Sequence, residues 1–352
     1  MKLFVGALLV TVSSMAQSTV GLYPTFPPVG PLENKSPVEQ SEFLRSLGVN
    51  LAGGPFEDDA IPDALRAAGI KTMGLVVLFQ GEQHWKAHPE SRPIMANGKP
   101  LFKDEWYAGV CPNQGWLRRQ KLAEIEAMLA SGRYDVINLD FIRYPVRWEP
   151  AKPKMPDTCY CAVCLRKFEQ DTGIELPAKT ESARKNARFI RAKHLERWHR
   201  WRADQITNFC RDVAAIRDRV NKDVQISLAA LPWQPDDHDN AIYRVVGQDF
   251  RALADVIDVF NPMSYYLLSE RPVTWIGEVN KYFVRITGRP VWPFVIYPPH
   301  YPELLEGVTA EDWDAAYSQS LSGGSAGLIA FPFRLMPGQI GFEVFQRRFG
   351  PR

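Results

Sequence analysis

Short apolar runs alternate with helical patterns along this chain eight times, and that alternation restricts the folds open to it. The runs are residues 19–23, 49–52, 71–79, 136–139, 224–231, 255–263, 290–297 and 328–333. Residues 71–79 are nearly continuous in apolar side chains after Thr72, as expected of a parallel strand covered on both faces. Between the runs, Phe43, Leu44 and Leu47, then Leu122, Ile125 and Leu129, repeat at three- and four-residue spacing, which predicts helices with one inner face. Ser36-Pro37-Val38-Glu39 is a helix start, with Ser36 as cap, Pro37 in the first turn and Glu39 reaching back. Residues 187–220 predict one long helix, striped by Ile206, Phe209, Val213, Ile216 and Val220. Strands alternating with helices imply a parallel sheet. Eight of them imply an α/β fold closed into a (β/α)8 TIM barrel, with an open doubly wound sheet as the alternative.

Met1 to Ala16 has the form of a signal peptide: Lys2, an apolar run from Leu3 to Val12, and small residues at Ser14 and Ala16 before a cleavage point. Secretion or export to a periplasm follows as an expectation. Residues 17–352 then form a single barrel domain with an insertion around 145–175. No other apolar stretch reaches membrane-spanning length, so no stable membrane insertion is expected. A formal net charge of +2 favours neither nucleic acid nor an anionic membrane. The basic residues between Arg184 and Arg202 read as a solvated helix face, with a polyanion-binding surface as the alternative. No Gly-x-Gly-x-x-Gly follows the first strand and no phosphate loop is present, so no organic cofactor is expected. Gly-x-Ser-x-Gly and His-Glu-x-x-His are absent too, which removes the commonest acyl-transfer and zinc-protease readings.

In such barrels the chemistry sits where strands end. Asp140 follows the apolar run Val136 to Leu139 and is the leading candidate for an essential carboxylate. Arg143, three residues on, would hold a neighbouring carboxyl ionised. A second acid is expected from Asp236, after the fifth strand, or Glu270, after the sixth, with Glu82 after the third. Tyr144, Trp233, Tyr265, Tyr266 and Tyr297 supply aromatic faces that could line subsites with Arg143 and Glu82. Carboxylates with aromatics suit sugar chemistry, since glycosidic cleavage needs two carboxyls and pyranose faces stack on rings. A metal-dependent hydrolase using Asp140 and His238 is a weaker alternative, and a sugar-binding barrel without catalysis is another.

Cys159-x-Cys161-x-x-Cys164, with Cys111 upstream in a Cys-Pro turn, has the spacing of a four-thiolate site. A closed tetrahedral zinc centre, one or two disulfides, or free thiols are each compatible with it. Cys210 falls on the apolar stripe of the long helix and reads as a core residue.

The segment Asn138-Leu-Asp-Phe-Ile-Arg-Tyr-Pro145 resembles the strand-four motif His-Leu-Asp-Tyr-Ile-Arg-Tyr-Pro of glycosyl-hydrolase-like barrels of the GHL10 type. Trp198-x-x-Trp201-Arg202-x-x-Gln205-Ile206 and Asn261-Pro262-Met263-x-Tyr265 resemble the same group, and the likeness runs from about Thr19 to Phe345. The resemblance implies a TIM barrel with Asp140 as the catalytic carboxylate, acting on a carbohydrate. The cysteines resemble those of family-42 β-galactosidases, which implies structural zinc on Cys111, Cys159, Cys161 and Cys164. The Asn-Glu pair those enzymes use after strand four is absent here, because Phe141 follows Asp140. Against the family-18 chitinase motif, Ile142 stands where the catalytic Glu belongs. The expectation is therefore an exported glycoside hydrolase with Asp140 as nucleophile or essential carboxylate and Asp236 or Glu270 as acid/base.

Overall fold

The computed structural model describes residues 18–28, 30–179, 182–296, 304, 306–331 and 338–351. The leader Met1 to Ala16 and Tyr297 lie outside the described residues. Eight parallel strands run around a central axis: β1 Thr19–Leu22, β2 Leu51–Gly53, β3 Lys71–Val77, β4 Val136–Asp140, β5 Gln225–Ala230, β6 Val259–Pro262, β7 Phe294–Ile296 and β8 Gly327–Phe331. Their order is β6-β5-β4-β3-β2-β1-β8-β7. Parallel bridges from Phe260 to Val291 and from Met263 to Phe294 bring β6 against β7. The ring is thereby closed by isolated bridges at that seam, and the doubly wound alternative is excluded.

The helices are α1 Pro37–Ser46, α2 Ala60–Ala67, α3 Glu82–Ala87, α4 Gly115–Ala130, α5 Ala162–Thr172, α6 Ala183–Lys193, α7 Leu195–Val220, α8 Phe250–Leu253, α9 Trp275–Thr287, α10 Ala310–Ser320 and α11 Ile340–Phe349. The capping box of α1 is formed: the Ser36 amide donates to Glu39 Oε2 at 2.8 Å, and the Glu39 amide donates to Ser36 Oγ at 3.3 Å. The long helix expected over residues 187–220 is two helices. His194 leaves the helical region at φ −138°, ψ 25°, and α7 restarts after it. Residues 162–172, expected to be loop, form α5, and Gly173 closes it at φ +71°, where a side chain would be strained. Among the described residues no helix is long and apolar enough to cross a membrane.

Period-two alternation places Asn138 and Asp140 on one face of β4. Asn138 is fully buried, and its Nδ2 donates to Ser227 Oγ and Asn261 Oδ1, each at 2.8 Å. Asn261 Nδ2 in turn donates to the Trp292 carbonyl at 2.8 Å. A short polar chain thus ties β4 to β5, to β6 and to the residues leading into β7. Asp140 ends β4 one step beyond this polar layer.

Candidate active site and cysteine centre

β4 delivers Asp140 to the carboxyl end of the barrel. Phe141, next in the chain, adopts φ +53°, a left-handed conformation rarely used by a bulky residue. That turn lets the Phe141 amide donate to Asp140 Oδ1 at 2.7 Å, fixing the carboxylate on its own backbone. Such strain persists where surrounding contacts over-determine it, and they do here. The Phe141 ring stacks on Tyr107 at 5.9 Å and lies beneath the Arg143 guanidinium at 4.4 Å. The loop is then tied down by Tyr144, whose amide donates to the Val246 carbonyl at 3.0 Å, and by Gln248, whose Nε2 donates to the Ile142 carbonyl at 3.3 Å.

Arg143 Nη1 lies 3.8 Å from Asp140 Oδ1; the Arg143 side chain is 2% exposed and that of Asp140 14%. Arg143 was expected to keep the carboxyl ionised. It does pull in that direction, but burial outweighs it. Desolvation raises the Asp140 carboxyl above its ordinary range, while Arg143 and the Phe141 amide oppose the rise. Glu149 adds to the rise by charge repulsion. Glu149 is itself 15% exposed and pushed up, first by burial, with Arg143 and Arg147 opposing. Its Oε2 lies 3.2 Å from Arg147 Nε. Tyr107 and Tyr265 are raised first by burial and then feel the charges of Arg143, Asp140 and Glu149. Two largely buried carboxyls and two tyrosines therefore feel the charge of one guanidinium, Arg143, in a low-dielectric neighbourhood.

Sequence reasoning did not single out Glu149. It lies nine residues beyond Asp140 in the expected insertion, with no strand before it to mark it. The available signal was Trp148 beside it. Trp148 is buried and faces Tyr265 at 5.4 Å, which folds this part of the loop back over the end of β6. Trp106 is a second omission. It is 48% exposed, meets Phe141 edge-on at 6.2 Å and carries the Arg147 guanidinium over its ring at 4.8 Å. Arg143 Nε and Nη1, Trp148 Nε1 and Ser264 Oγ are buried without a hydrogen-bond partner among the described residues. Desolvated donors left open beside two acids cost stability, a pattern found at functional sites.

The other predicted residues are dispersed. Asp236 and Glu270 are exposed loop residues, and neither is among the charges acting on Asp140. Glu82 starts α3 and is neutralised by Lys103 at 2.6 Å and Lys86 at 3.7 Å. Trp233 is buried against His238 at 4.8 Å. Tyr266 is pushed up to about 12 by burial, and the acid it feels is Asp312. Tyr144 is turned away from Asp140: it is fully buried under the Arg202 guanidinium at 4.2 Å.

Tyr144 leads to the cysteines. Its hydroxyl accepts from Asn113 Nδ2 at 3.1 Å, and the same nitrogen lies 3.3 Å from Cys164 Sγ. Cys111, Cys159, Cys161 and Cys164 are buried, with their sulfurs all within 4.8 Å of one another. Cys111 Sγ is 3.6 Å from Cys161 Sγ and 3.4 Å from Cys164 Sγ. A disulfide needs about 2.05 Å, and no disulfide joins any of the four cysteines. Tetrahedral coordination with metal–sulfur bonds of about 2.3 Å puts sulfurs roughly 3.8 Å apart, so the donor set fits a metal ion with modest adjustment. Among the described residues this is the one such cluster, and no cluster joins Asp140 to His238. Cys210 is buried in the core, as its place on the stripe predicts.

The tryptophan motif of α7 holds the cysteine insertion. Trp198 stacks on Tyr160 at 4.9 Å, Trp201 Nε1 donates to Asp171 Oδ2 at 2.8 Å, and Gln205 Nε2 donates to the same oxygen at 3.2 Å.

No protein-family model matches the chain, and no curated protein matches it in sequence. Solved structures do match in fold. The glycoside hydrolase domain of PgaB (BpsB) from Bordetella bronchiseptica superposes with a TM-score of 0.69 at 12% identity, covering 96% of this chain and 99% of that one. A β-galactosidase from Bacillus circulans sp. alkalophilus gives 0.63 at 12% identity, covering 95% of this chain. An α-L-fucosidase from Paenibacillus thiaminolyticus gives 0.57 at 14% identity, again over 95% of this chain. The chain spans about half the length of these last two, 55% and 48%. The architecture is thus the TIM barrel found in these glycoside hydrolases.

Proposed function

We propose that the chain is a glycoside hydrolase whose reacting groups are Asp140 and Glu149. One observation carries this reading: at the carboxyl end of the barrel Asp140, 3.8 Å from the Arg143 guanidinium, and Glu149 are both largely shielded from solvent, and each feels the charge of Arg143. Glycosidic cleavage needs one carboxyl to protonate the leaving oxygen and one carboxylate to attack the anomeric carbon or take a proton from water. Asp140, held on a strand end by the Phe141 amide and beside Arg143, suits the ionised role. Glu149, raised by burial, suits the acid. Repulsion between them helps one keep its proton while the other is charged. This replaces Asp236 and Glu270 as candidates for the acid. Trp106 offers an exposed ring beside the site for a sugar face. The glycoside hydrolases that share this barrel support the reaction class.

The four cysteines are read as a structural zinc site. Thiolates would use every position of a tetrahedral ion and leave none open for catalysis. Export of the protein, toward a polysaccharide or oligosaccharide outside the cytoplasm, rests on the leader pattern in Met1 to Ala16.

The test compares wild type with Asp140→Asn and Glu149→Gln on one panel of polysaccharides and aryl glycosides, with cleavage and binding both measured. Cleavage by wild type with retained binding by the variants sustains the assignment. Binding by all three without cleavage replaces it with a sugar-binding barrel.

A further inference from the structure

Helix α6, Ala-Arg-Lys-Asn-Ala-Arg-Phe-Ile-Arg-Ala-Lys, carries five cations in eleven residues and no acid. The chain as a whole has a net charge of only +2, so outside this helix it is net acidic. The one acid between Arg184 and Arg202, Glu196, falls on α7, beyond the break at His194, and α6 is left without one. Several surface cations elsewhere are paired: Lys121 with Glu124, Arg118 with Asp212, Arg219 with Glu126 and Arg348 with Asp314. Arg184, Arg188 and Arg191 stand at i, i+4 and i+7, on one side of α6, and all three are exposed. Like charges at this spacing repel and weaken a helix unless an anion intervenes.

Those three arginines line one wall of a groove of about 690 Å³. Met95, Ala96, Asn97, Ala187, Ala192 and Leu195 line the rest of it. The single acid in the groove is Asp157, 3.8 Å from Arg191 Nε and also engaged by the Tyr160 hydroxyl at 3.0 Å. Three guanidinia meet one carboxylate among the lining residues, so the groove carries an excess of positive charge beside apolar side chains. Guanidinium forks match carboxylate and sulfate oxygens.

We propose that this groove is a second glycan-binding site, separate from Asp140 and Glu149, that takes a polysaccharide bearing carboxylate or sulfate groups. The charge excess specifies the anion, and the open, partly apolar groove suits an extended chain. The choice of a glycan rests on the glycoside hydrolase reading; the anion preference rests on α6 alone.

The experiment uses the full chain carrying Asp140→Asn, so that binding is read without turnover. Titrations with an oligogalacturonate, a dextran sulfate, a neutral oligosaccharide of equal length and a single-stranded oligonucleotide of equal charge are compared. The triple variant Arg184→Gln, Arg188→Gln, Arg191→Gln is expected to bind the acidic glycans about tenfold more weakly or worse, and to leave neutral-sugar binding unchanged. Wild-type binding to the acidic glycans should fade at roughly 1 M salt, where the Debye length is about 3 Å. The corresponding Arg→Lys triple variant, which keeps the charge, should bind within a few-fold of wild type and guards against misfolding of the glutamine variant. The preferred anion, carboxylate or sulfate, is read from the two acidic glycans. Unchanged affinity in the glutamine variant, or no binding of either acidic glycan, overturns the proposal. Tighter binding of the oligonucleotide than of both glycans overturns the glycan assignment. The hydrolase reading stands or falls separately, on cleavage by the protein with Asp140 intact.

Discussion

Asp140 and Glu149 are costly where they stand. Each carboxyl is held above its ordinary range mainly by burial, so the folded protein binds those protons more tightly than the unfolded chain does. The stability that goes with this is present at low pH and is lost as pH rises from the ordinary carboxylate range through the raised values. Asp140→Asn and Glu149→Gln should therefore each raise Tm at neutral pH. The gain should vanish near pH ~4, where the unfolded chain is itself half protonated. A lower Tm for both variants at neutral pH would contradict the burial argument. The same substitutions should lower cleavage about 10²- to 10⁴-fold, the usual contribution of a positioned acid or base. Asp236→Asn and Glu270→Gln should stay within a few-fold of wild type, because both side chains are exposed and outside the field of Asp140. Steady-state rates on the substrate found in the panel decide between the two pairs.

The elements that make the site are a strand end and the loop that follows it, and the loop is braced on its far side by the cysteine centre. Asn113 is the joint, donating to the Tyr144 hydroxyl and lying against Cys164 Sγ. Tyr144 in turn adjoins Arg143, whose guanidinium lies 3.8 Å from Asp140. Asn113→Leu leaves the Tyr144 hydroxyl buried and unpaired, at a cost of about 1–3 kcal/mol. It should lower Tm and speed hydrogen exchange over residues 141–148 while metal content and thiol count stay at wild-type values. Stripping metal with a chelator should do the same to residues 141–148 and also expose four reactive thiols. If exchange there is unchanged in both cases, the loop is held without help from the cysteines.

At the scale of the molecule the barrel is a ring with a weak seam and a polar interior layer. β6 meets β7 through isolated bridges, whereas β3, β4 and β5 pair in continuous ladders. The Asn138–Ser227–Asn261 chain lies in the well-paired part, directly below Asp140, and continues through Asn261 to the Trp292 carbonyl at the seam. Asn138→Leu removes the donor that both Ser227 and Asn261 receive. Overpacking and two buried groups left unpaired should cost roughly 2–5 kcal/mol. The cooperative unfolding transition measured in denaturant should shift to lower concentration without change of slope. A shift indistinguishable from zero would mean the layer is filled by water as readily as by amide.

Much of this fold was legible in the chain because its signals are local. Apolar runs with helical patterns between them specify parallel strands, and β1, β3 and β4 began where the runs began. Ser36 and Glu39 announced α1, and Asp140 stood at the end of β4 as its place after Leu139 required. The cysteine spacing foretold a cluster, and the four sulfurs converge. The break at His194 and helix α5 were not legible. The first is one residue's departure from helical backbone inside a continuous pattern, and the second lies in a segment whose Pro and Cys content resembles loop. The proposed partner of Asp140 was hidden for a stronger reason. Asp236, Glu270 and Glu149 are equivalent as loop carboxylates in sequence, and what separates them is which loop folds back over the barrel mouth. Trp148 packing on Tyr265 makes that choice for Glu149. The elements and the first proposed acid were thus written in local pattern. The second proposed acid, the sign of the shift at Asp140 and the excess positive charge left on α6 were decided by burial and by long-range contact, which no stretch of sequence contains alone.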